Sequence, residues 1–551
     1  MGLLFYKCLI LFTSCTLGVS QSQEILSNIV TLNHGGQIQG HLLKSQKQNV
    51  YYAFQEIPYA TPPVGNFRFK EATEPVPWQG VKKTTKNTKI CIQFPKNDPR
   101  ETEDCLYLNV YTPQKPGSTQ KLLPVYVFVH GGFLLKNDGT FELFGPQFLM
   151  DYGIVVVTLN YRLGPFGFIS TEDDVLPGNL GIKDQILALQ WIQKNIKLFG
   201  GDPKKVTLGG HSSGGSCVGH IILNKQSKGL FRSVIQESGS PLNSKMFMKH
   251  PRYFAFQLGQ LINNNIDAKN SSQELLKVLL DASTEDIKKN SGLPIPENMR
   301  NAVGNQGNTV WNPVEEHSRN GVIKGLMHEN FKNGIFNKVP MLIGVNSEEQ
   351  LKFDLEELKT KTKYFDENAA YLINGNLNIT EENKLPAGTK LKKIYTNTTF
   401  EEDFPAFIRF VSDASYTTGV YRQAELQSKY VDVFMYQFSY DGILGGINSS
   451  IPGVGHTEEL NYLFQNKFNK NIDSFPTSDL KVQETILTLW TNFIKYLNPL
   501  PQNGAKWPKV TPNLLSYQNI KDTLQVATNP KVYKDIKKIY EEYAEEIQYT
   551  Y

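Results

Sequence analysis

Val125-Tyr126-Val127-Phe128-Val129 and Ile154-Val155-Val156-Val157-Thr158-Leu159 are almost unbroken apolar runs. A strand with one wet face alternates apolar and polar residues. A run without that alternation belongs to a strand covered on both faces, as in a parallel sheet packed between helices. The segments that follow agree. Between 179 and 199, Ile182, Ile186, Leu189, Ile192 and Ile196 recur at helical spacing. Val206-Thr207-Leu208 reads as a short strand, Val218, Ile221 and Ile222 as the next helical face, and Ser233-Val234-Ile235 as the strand after it. Strands return at 339–344 and 432–440, and amphipathic helices at 482–496 and 530–547, the last read as a solvated surface helix. The first part, 30–81, reads as antiparallel strands, and 106–111 as another. The alternation predicts an α/β fold with a central, mostly parallel sheet, helices on both faces and large helical insertions. No repeat or low-complexity tract divides the chain, so the polar helical stretch 246–337 reads as an insertion into one sheet.

Between the strand at Val206 and the helix at Val218 lies Gly210-His211-Ser212-Ser213-Gly214, a G-x-S-x-G. A serine hydroxyl is a poor nucleophile unless it is held out from the backbone beside a base and an anion-stabilising cradle. A sharp strand-to-helix turn does this, and its crowding demands small neighbours, which Gly210, Gly214 and Gly215 supply. The helix that starts there adds N–H donors and a positive dipole end. The bare pattern occurs by chance and could mark a glycine-serine loop. Its position between strand and helix makes Ser212 the candidate nucleophile.

Partners for such a serine are a base, a carboxylate to orient it, and oxyanion donors. Gly131-Gly132 after the strand 125–129 lets the backbone approach a substrate closely, so the N–H groups of Gly132 and Phe133 are candidate donors, with that of Ser213 beside them. Among nine histidines, His211 and His220 neighbour the serine on the local backbone, where their rings are expected to point elsewhere, and His317 and His328 fall in a polar helical region expected at the surface. His456 lies in the glycine-rich loop Pro452-Gly453-Val454-Gly455-His456, which can swing a ring over the end of the sheet. For the acid, Ser347-Glu348-Glu349 follows a buried strand directly, at the end of the sheet where sites form. The residues alone leave Glu348 and Glu349 tied.

Other features bound the setting. The net charge of +4 on 551 residues is small, which gives no reason to invoke nucleic acid or an acidic membrane surface. Lys7 and the apolar Leu9-Ile10-Leu11-Phe12, followed by Gly18 and Ser20, read as a signal peptide over 1–20, leaving a mature chain of 21–551 in one domain. No later run approaches a membrane span, so the mature protein is expected to be secreted and extracellular. Of five cysteines, Cys8 and Cys15 leave with the leader. Cys217 follows the nucleophile turn as a core thiol, and Cys91 and Cys105 remain to form a disulfide. Sequons at Asn270, Asn378, Asn397 and Asn448 fit secretion.

With these residues in place, the chain resembles the type-B carboxylesterases, the family of cholinesterases and insect juvenile hormone esterases. The likeness rests on Glu103-Asp104-Cys105-Leu106, Asn160-Tyr161-Arg162-Leu163-Gly164, Gly178-Asn179-Leu180-Gly181, Lys183-Asp184-Gln185 and Phe199-Gly200-Gly201-Asp202-Pro203. It implies an α/β-hydrolase fold and a triad in the order Ser212, Glu349, His456, which breaks the tie between the acids. It further implies structural ion pairs Arg68–Glu103 and Arg162–Asp184, supports Cys91–Cys105, and calls for no metal or organic cofactor. The implied activity is hydrolysis of small-molecule carboxylic esters. Three departures bear on substrate preference: His211 and Ser213 stand on either side of the nucleophile where the family carries Glu and Ala, Phe133 where it carries Gly or Ala, and Gln350 where Gly follows the acid. The alternative from another class is a non-catalytic adhesion or binding protein of the same fold, against which the complete set Ser212, Glu349 and His456 argues. A cholinesterase is disfavoured because Phe94-Pro95-Lys96-Asn97-Asp98 lacks the tryptophan that would hold a quaternary ammonium.

Overall fold

Along Leu123–Val129 successive side chains point to opposite faces of a sheet, and both faces are dry. Val125, Val127 and Val129 enter one apolar core, while Tyr126 and Phe128 enter a second. The first core is closed by the helices Leu180–Asn195 and Ser213–Leu223, through Ile182, Leu189, Val218 and Ile221. The second is closed by Thr477–Tyr496, through Ile486, Trp490 and Phe493. This is the physical reason for the unbroken apolar runs: the period of two is present, but both phases are buried. The computed structural model describes residues 24–95, 97–118, 120–296, 310–318, 321–375, 377–500, 507–547 and 551, so the signal-peptide reading of 1–20 lies outside the described residues.

The strands are β1 (Leu26–Thr31), β2 (Gln37–Lys44), β3 (Val50–Pro58), β4 (Val81–Lys83), β5 (Tyr107–Thr112), β6 (Leu123–Val129), β7 (Val155–Leu159), β8 (Gly201–His211), β9 (Ser233–Glu237), β10 (Met341–Asn346), β11 (Leu377–Asn378), β12 (Val433–Phe438), β13 (Ser516–Ile520) and β14 (Leu524–Thr528). Among the described residues thirteen strands form one sheet in the order β1-β2-β3-β5-β7-β6-β8-β9-β10-β12-β13-β14, with β4 beside β2. Pairing is parallel from β7 through β13. It is antiparallel at both margins. The carboxyl ends of β6, β8, β9 and β10 therefore lie side by side, and the chain leaves each of them into a loop or helix on the same edge.

The expected ion pairs pin these loops. Arg162 meets Asp184 through two hydrogen bonds of 2.7 and 2.8 Å with both side chains buried, fixing the segment after β7 to the helix Leu180–Asn195. Arg68 meets Glu103 in the same two-pronged way at 2.6 and 2.7 Å. Cys91 and Cys105 are joined, and Cys217 is a buried free thiol.

Three expectations need correction. Val81–Lys83 runs parallel to β2, so the N-terminal part is not wholly antiparallel. His328 is buried, accepting a 3.1 Å hydrogen bond from Arg422 Nε and lying parallel to the Tyr551 ring, whereas His317 is exposed. The last helix ends at Tyr543 and is only half solvated: Tyr533, Ile536, Ile539 and Tyr540 bury one face, and Glu546–Ile547 pairs as a strand with β11.

Candidate active site

The carboxyl end of β8 delivers Ser212 into a tight turn. Its φ of 57° and ψ of −127° lie in a region that side-chain-bearing residues rarely occupy, and such strain persists only where surrounding contacts enforce it. Here they do. The Ser212 N–H donates to Glu237 O at 2.8 Å, and the Ser212 carbonyl accepts from Ser216 N–H at 3.0 Å as the helix Ser213–Leu223 begins. Gly214 must lack a side chain, because a Cβ would stand 2.3 Å from Val129 O and 2.5 Å from His130 O. The helix start is thereby pressed onto the end of β6.

His456 reaches this serine from the loop after β12. Its backbone N–H donates to Glu349 O at 3.0 Å, and Nε2 stands 2.8 Å from Ser212 Oγ. Nδ1 lies 2.5 Å from Glu349 Oε2. With Nδ1–H donating to the carboxylate, Nε2 is the acceptor that faces the hydroxyl. The other Glu349 oxygen accepts from Ser238 Oγ at 2.6 Å and Asn346 N–H at 2.8 Å. Glu348, the rival acid, instead packs against Gly453, where an added Cβ would stand 2.3 Å from its Cγ. Burial holds His456 well below the usual imidazole range, with His211 adding to the effect. The ring is thus the neutral form a general base requires. Burial first, then the Glu459 carboxylate, push Glu349 up to about 8, against the pull of its hydrogen bonds from Ser238 and Asn346.

The loop after β6 forms the opposite wall. A Cβ on Gly131 would stand 2.8 Å from Ser212 Cβ, so only glycine lets this backbone come so near the serine. The Gly132 carbonyl accepts from Leu135 and Lys136 N–H at 3.0 and 3.1 Å, curling the loop into a turn, and Leu134 O accepts from Gly164 N–H at 2.7 Å. Phe133 and Leu134 both hold left-handed φ, 60° and 61°. The His130 ring stacks on Tyr161 with centroids 4.5 Å apart, and Tyr161 Oη donates to His130 O at 2.8 Å, so the entry to the loop is fixed. The Phe133 ring packs 5.8 Å from Phe353, which itself stacks 6.0 Å from His456. Ser213, the first helical residue, has an N–H with no intrahelical acceptor.

The structure also brings in residues that the sequence reading missed. Ser238 follows β9 just as Ser347 to Glu349 follow β10, and the rule that sites collect at carboxyl ends of parallel strands would have flagged it. Tyr416 lies on a π-helical turn, Asp413–Thr417, and its ring meets His456 at 4.5 Å. Such turns have no sequence signature. His211 does not point elsewhere, as expected from its backbone neighbourhood. Its ring turns toward His456, with Nε2 facing Glu459 Oε1.

A model of the carboxylesterase family matches residues 26–537. The chain belongs to the carboxylesterase family. The esterase is similar to the juvenile hormone esterase of Tribolium castaneum, 31% identical over 512 residues that cover 86% of this chain and 84% of that protein. It is equally similar to venom carboxylesterase-6 of Apis mellifera, 31% identical with 88% and 90% covered. Esterase FE4 of Myzus persicae is 31% identical, with 92% and 90% covered. In structure it is similar to a crystallised juvenile hormone esterase from Manduca sexta with OTFP covalently attached, at a TM-score of 0.81 and 25% identity, over 94% of this chain and 99% of that one. The esterase therefore has the α/β-hydrolase fold and is a carboxylic ester hydrolase. Among its described residues no helix is long and apolar enough to cross a membrane.

Proposed function

We propose that the esterase cleaves small-molecule carboxylic esters through an acyl-enzyme on Ser212. The observation that carries this is the hydrogen-bonded line from Ser212 Oγ through His456 to Glu349. Ser212 Oγ attacks the ester carbonyl carbon while its proton passes to His456 Nε2. Glu349 holds the ring at Nδ1 and offsets the imidazolium charge, and the proton then goes to the alcohol oxygen as the C–O bond breaks. Water, deprotonated by the same nitrogen, releases the acid and restores the serine. Backbone N–H groups of Gly132, Phe133 and Ser213 receive the oxyanion. No cofactor, metal or nucleic acid enters the scheme.

The catalytic unit is the single domain of residues 21–551, secreted after loss of 1–20. The disulfide Cys91–Cys105 and the exposed sequons Asn378, Asn397 and Asn448 support an extracellular setting, with half-buried Asn270 the least accessible of the four. Purified protein should hydrolyse p-nitrophenyl acetate and be silenced by an organophosphate found on Ser212 by mass spectrometry. Ser212→Ala should lower kcat by about four to six orders of magnitude, the scale on which triad members act. Activity retained in that variant would overturn the mechanism.

A further inference from the structure

Beside the proposed triad lies a histidine–carboxylate pair that the mechanism leaves unused. His211 ends β8 and is 3% exposed. Its Nε2 faces Glu459 Oε1 at 3.3 Å, an ion-pair distance without an aligned hydrogen bond. Its ring centroid lies 4.6 Å from that of His456, with the planes 40° apart. Glu459 is fully buried, and its other oxygen accepts from Asn346 Nδ2. The Asn346 backbone N–H donates in turn to Glu349. One carboxylate thus serves a frame that touches both histidines and the triad acid.

We propose that His211 is a positioning residue for His456: paired with Glu459, it places a positive charge against the ring that must itself become positive, and so sets the pH below which the esterase stops working. This rests on the reading of Ser212, Glu349 and His456 as the triad. His456 is faced by Glu349 at Nδ1, by Ser212 at Nε2, by the Tyr416 ring on one side, and by the charges of His211, Glu459, Lys352 and Lys245. His211 is faced by Glu459 and Glu349, with Glu237 its register partner on β9. Glu237 and Glu459 also repel one another.

The signs follow from this arrangement. Glu349 and Glu459 favour a proton on His456, while a protonated His211 disfavours it and keeps His456 a base to lower pH. The two effects are separable because His211 and Glu459 are single side chains of opposite charge.

The experiment is the pH profile of kcat/KM on p-nitrophenyl acetate for wild type, His211→Gln, Glu459→Gln and the double variant. Two unit charges a few ångströms apart in a partly screened site move a titration by about one unit. The acid limb of His211→Gln should therefore rise by about one pH unit, that of Glu459→Gln should fall, and that of the double variant should return toward wild type. An acid limb of His211→Gln that superposes on wild type overturns the proposal, and so do single variants that move the same way. Folding of each variant is checked by organophosphate labelling of Ser212. Should His211→Gln not fold, His211→Asn is measured in its place: a rise of its acid limb supports the proposal, and a fall or no change refutes it. Failure of the triad reading would look different, as activity surviving Ser212→Ala at every pH.

Discussion

Glu237 is a carboxyl group whose charge the fold does not accommodate, and replacing it by Gln should reveal how much stability depends on keeping it protonated. It ends β9 with no exposure to solvent. Oε1 accepts from Tyr126 Oη and Trp490 Nε1, both at 3.1 Å, while Oε2 is buried without a partner among the described residues. Burial first, then the Glu459 carboxylate, push it up to about 8 from the ordinary 4.5. A group raised in this way stabilises the fold fully below its unfolded value, and that contribution is lost as pH rises toward the folded value. The span from 4.5 to about 8, at about 1.4 kcal/mol per unit, makes the loss on the order of 5 kcal/mol. Glu237→Gln keeps the acceptor for Tyr126 and Trp490 but cannot ionise. Urea unfolding followed by tryptophan emission at about pH 5, 7 and 9 measures the difference. At the acid end the two proteins should agree within about 1–2 kcal/mol, the worth of one altered buried hydrogen-bonding group. At the alkaline end the variant should be the more stable by several kcal/mol. Some alkaline loss should remain in it, because burial also raises Glu348 to about 8. Parallel curves for the two proteins would refute the reasoning.

Phe133→Gly should relieve left-handed strain and open the wall beside Phe353, raising kcat/KM on butyrate relative to acetate by about tenfold to a hundredfold; an unchanged acyl-length profile would place the ring outside the substrate's reach. Asp184→Asn leaves Arg162 buried with its partner's charge removed and should cost about 3–5 kcal/mol, seen as a lower melting temperature and soluble yield. Peptide mapping without reduction should give Cys91 joined to Cys105. Cys217, pushed up to about 12 by burial, should react with iodoacetamide only in urea, and reaction in the native protein would contradict its packing.

What the sequence revealed follows from where physical constraint is local. The strands β6 and β7 were legible because burial on both faces is written into consecutive residues, and Ser212 because a crowded turn needs glycines within three positions of it. Tyr416 was not legible, since the π-helical turn that brings it to His456 leaves no sequence pattern, whereas Ser238 was open to the rule of carboxyl strand ends even though its partner Glu349 lies 111 positions away. Glu348 and Glu349 could not be told apart from their own neighbourhood. The choice is made by the turn after β10, which aims one side chain at Ser238 and His456. The inward orientation of His211 belongs to the same class, being set by Glu459, 248 positions later in the chain.

The distances along the chain carry a consequence for biosynthesis. Ser212 and His456 are 244 positions apart, and Glu349 and His456 are 107 apart. His456 hangs from β12, which is held on its far side by β13 near the end of the chain. A nascent chain halfway through translation already owns the serine turn and nine of the sheet's thirteen strands, yet lacks the proposed base. Long-range strand pairings of this kind form slowly, so on the proposed triad Ser212 stays idle until nearly the whole polypeptide has been made and closed. An active hydrolase is thereby withheld while the chain is still folding, and the return of activity on refolding becomes a reporter of complete sheet closure.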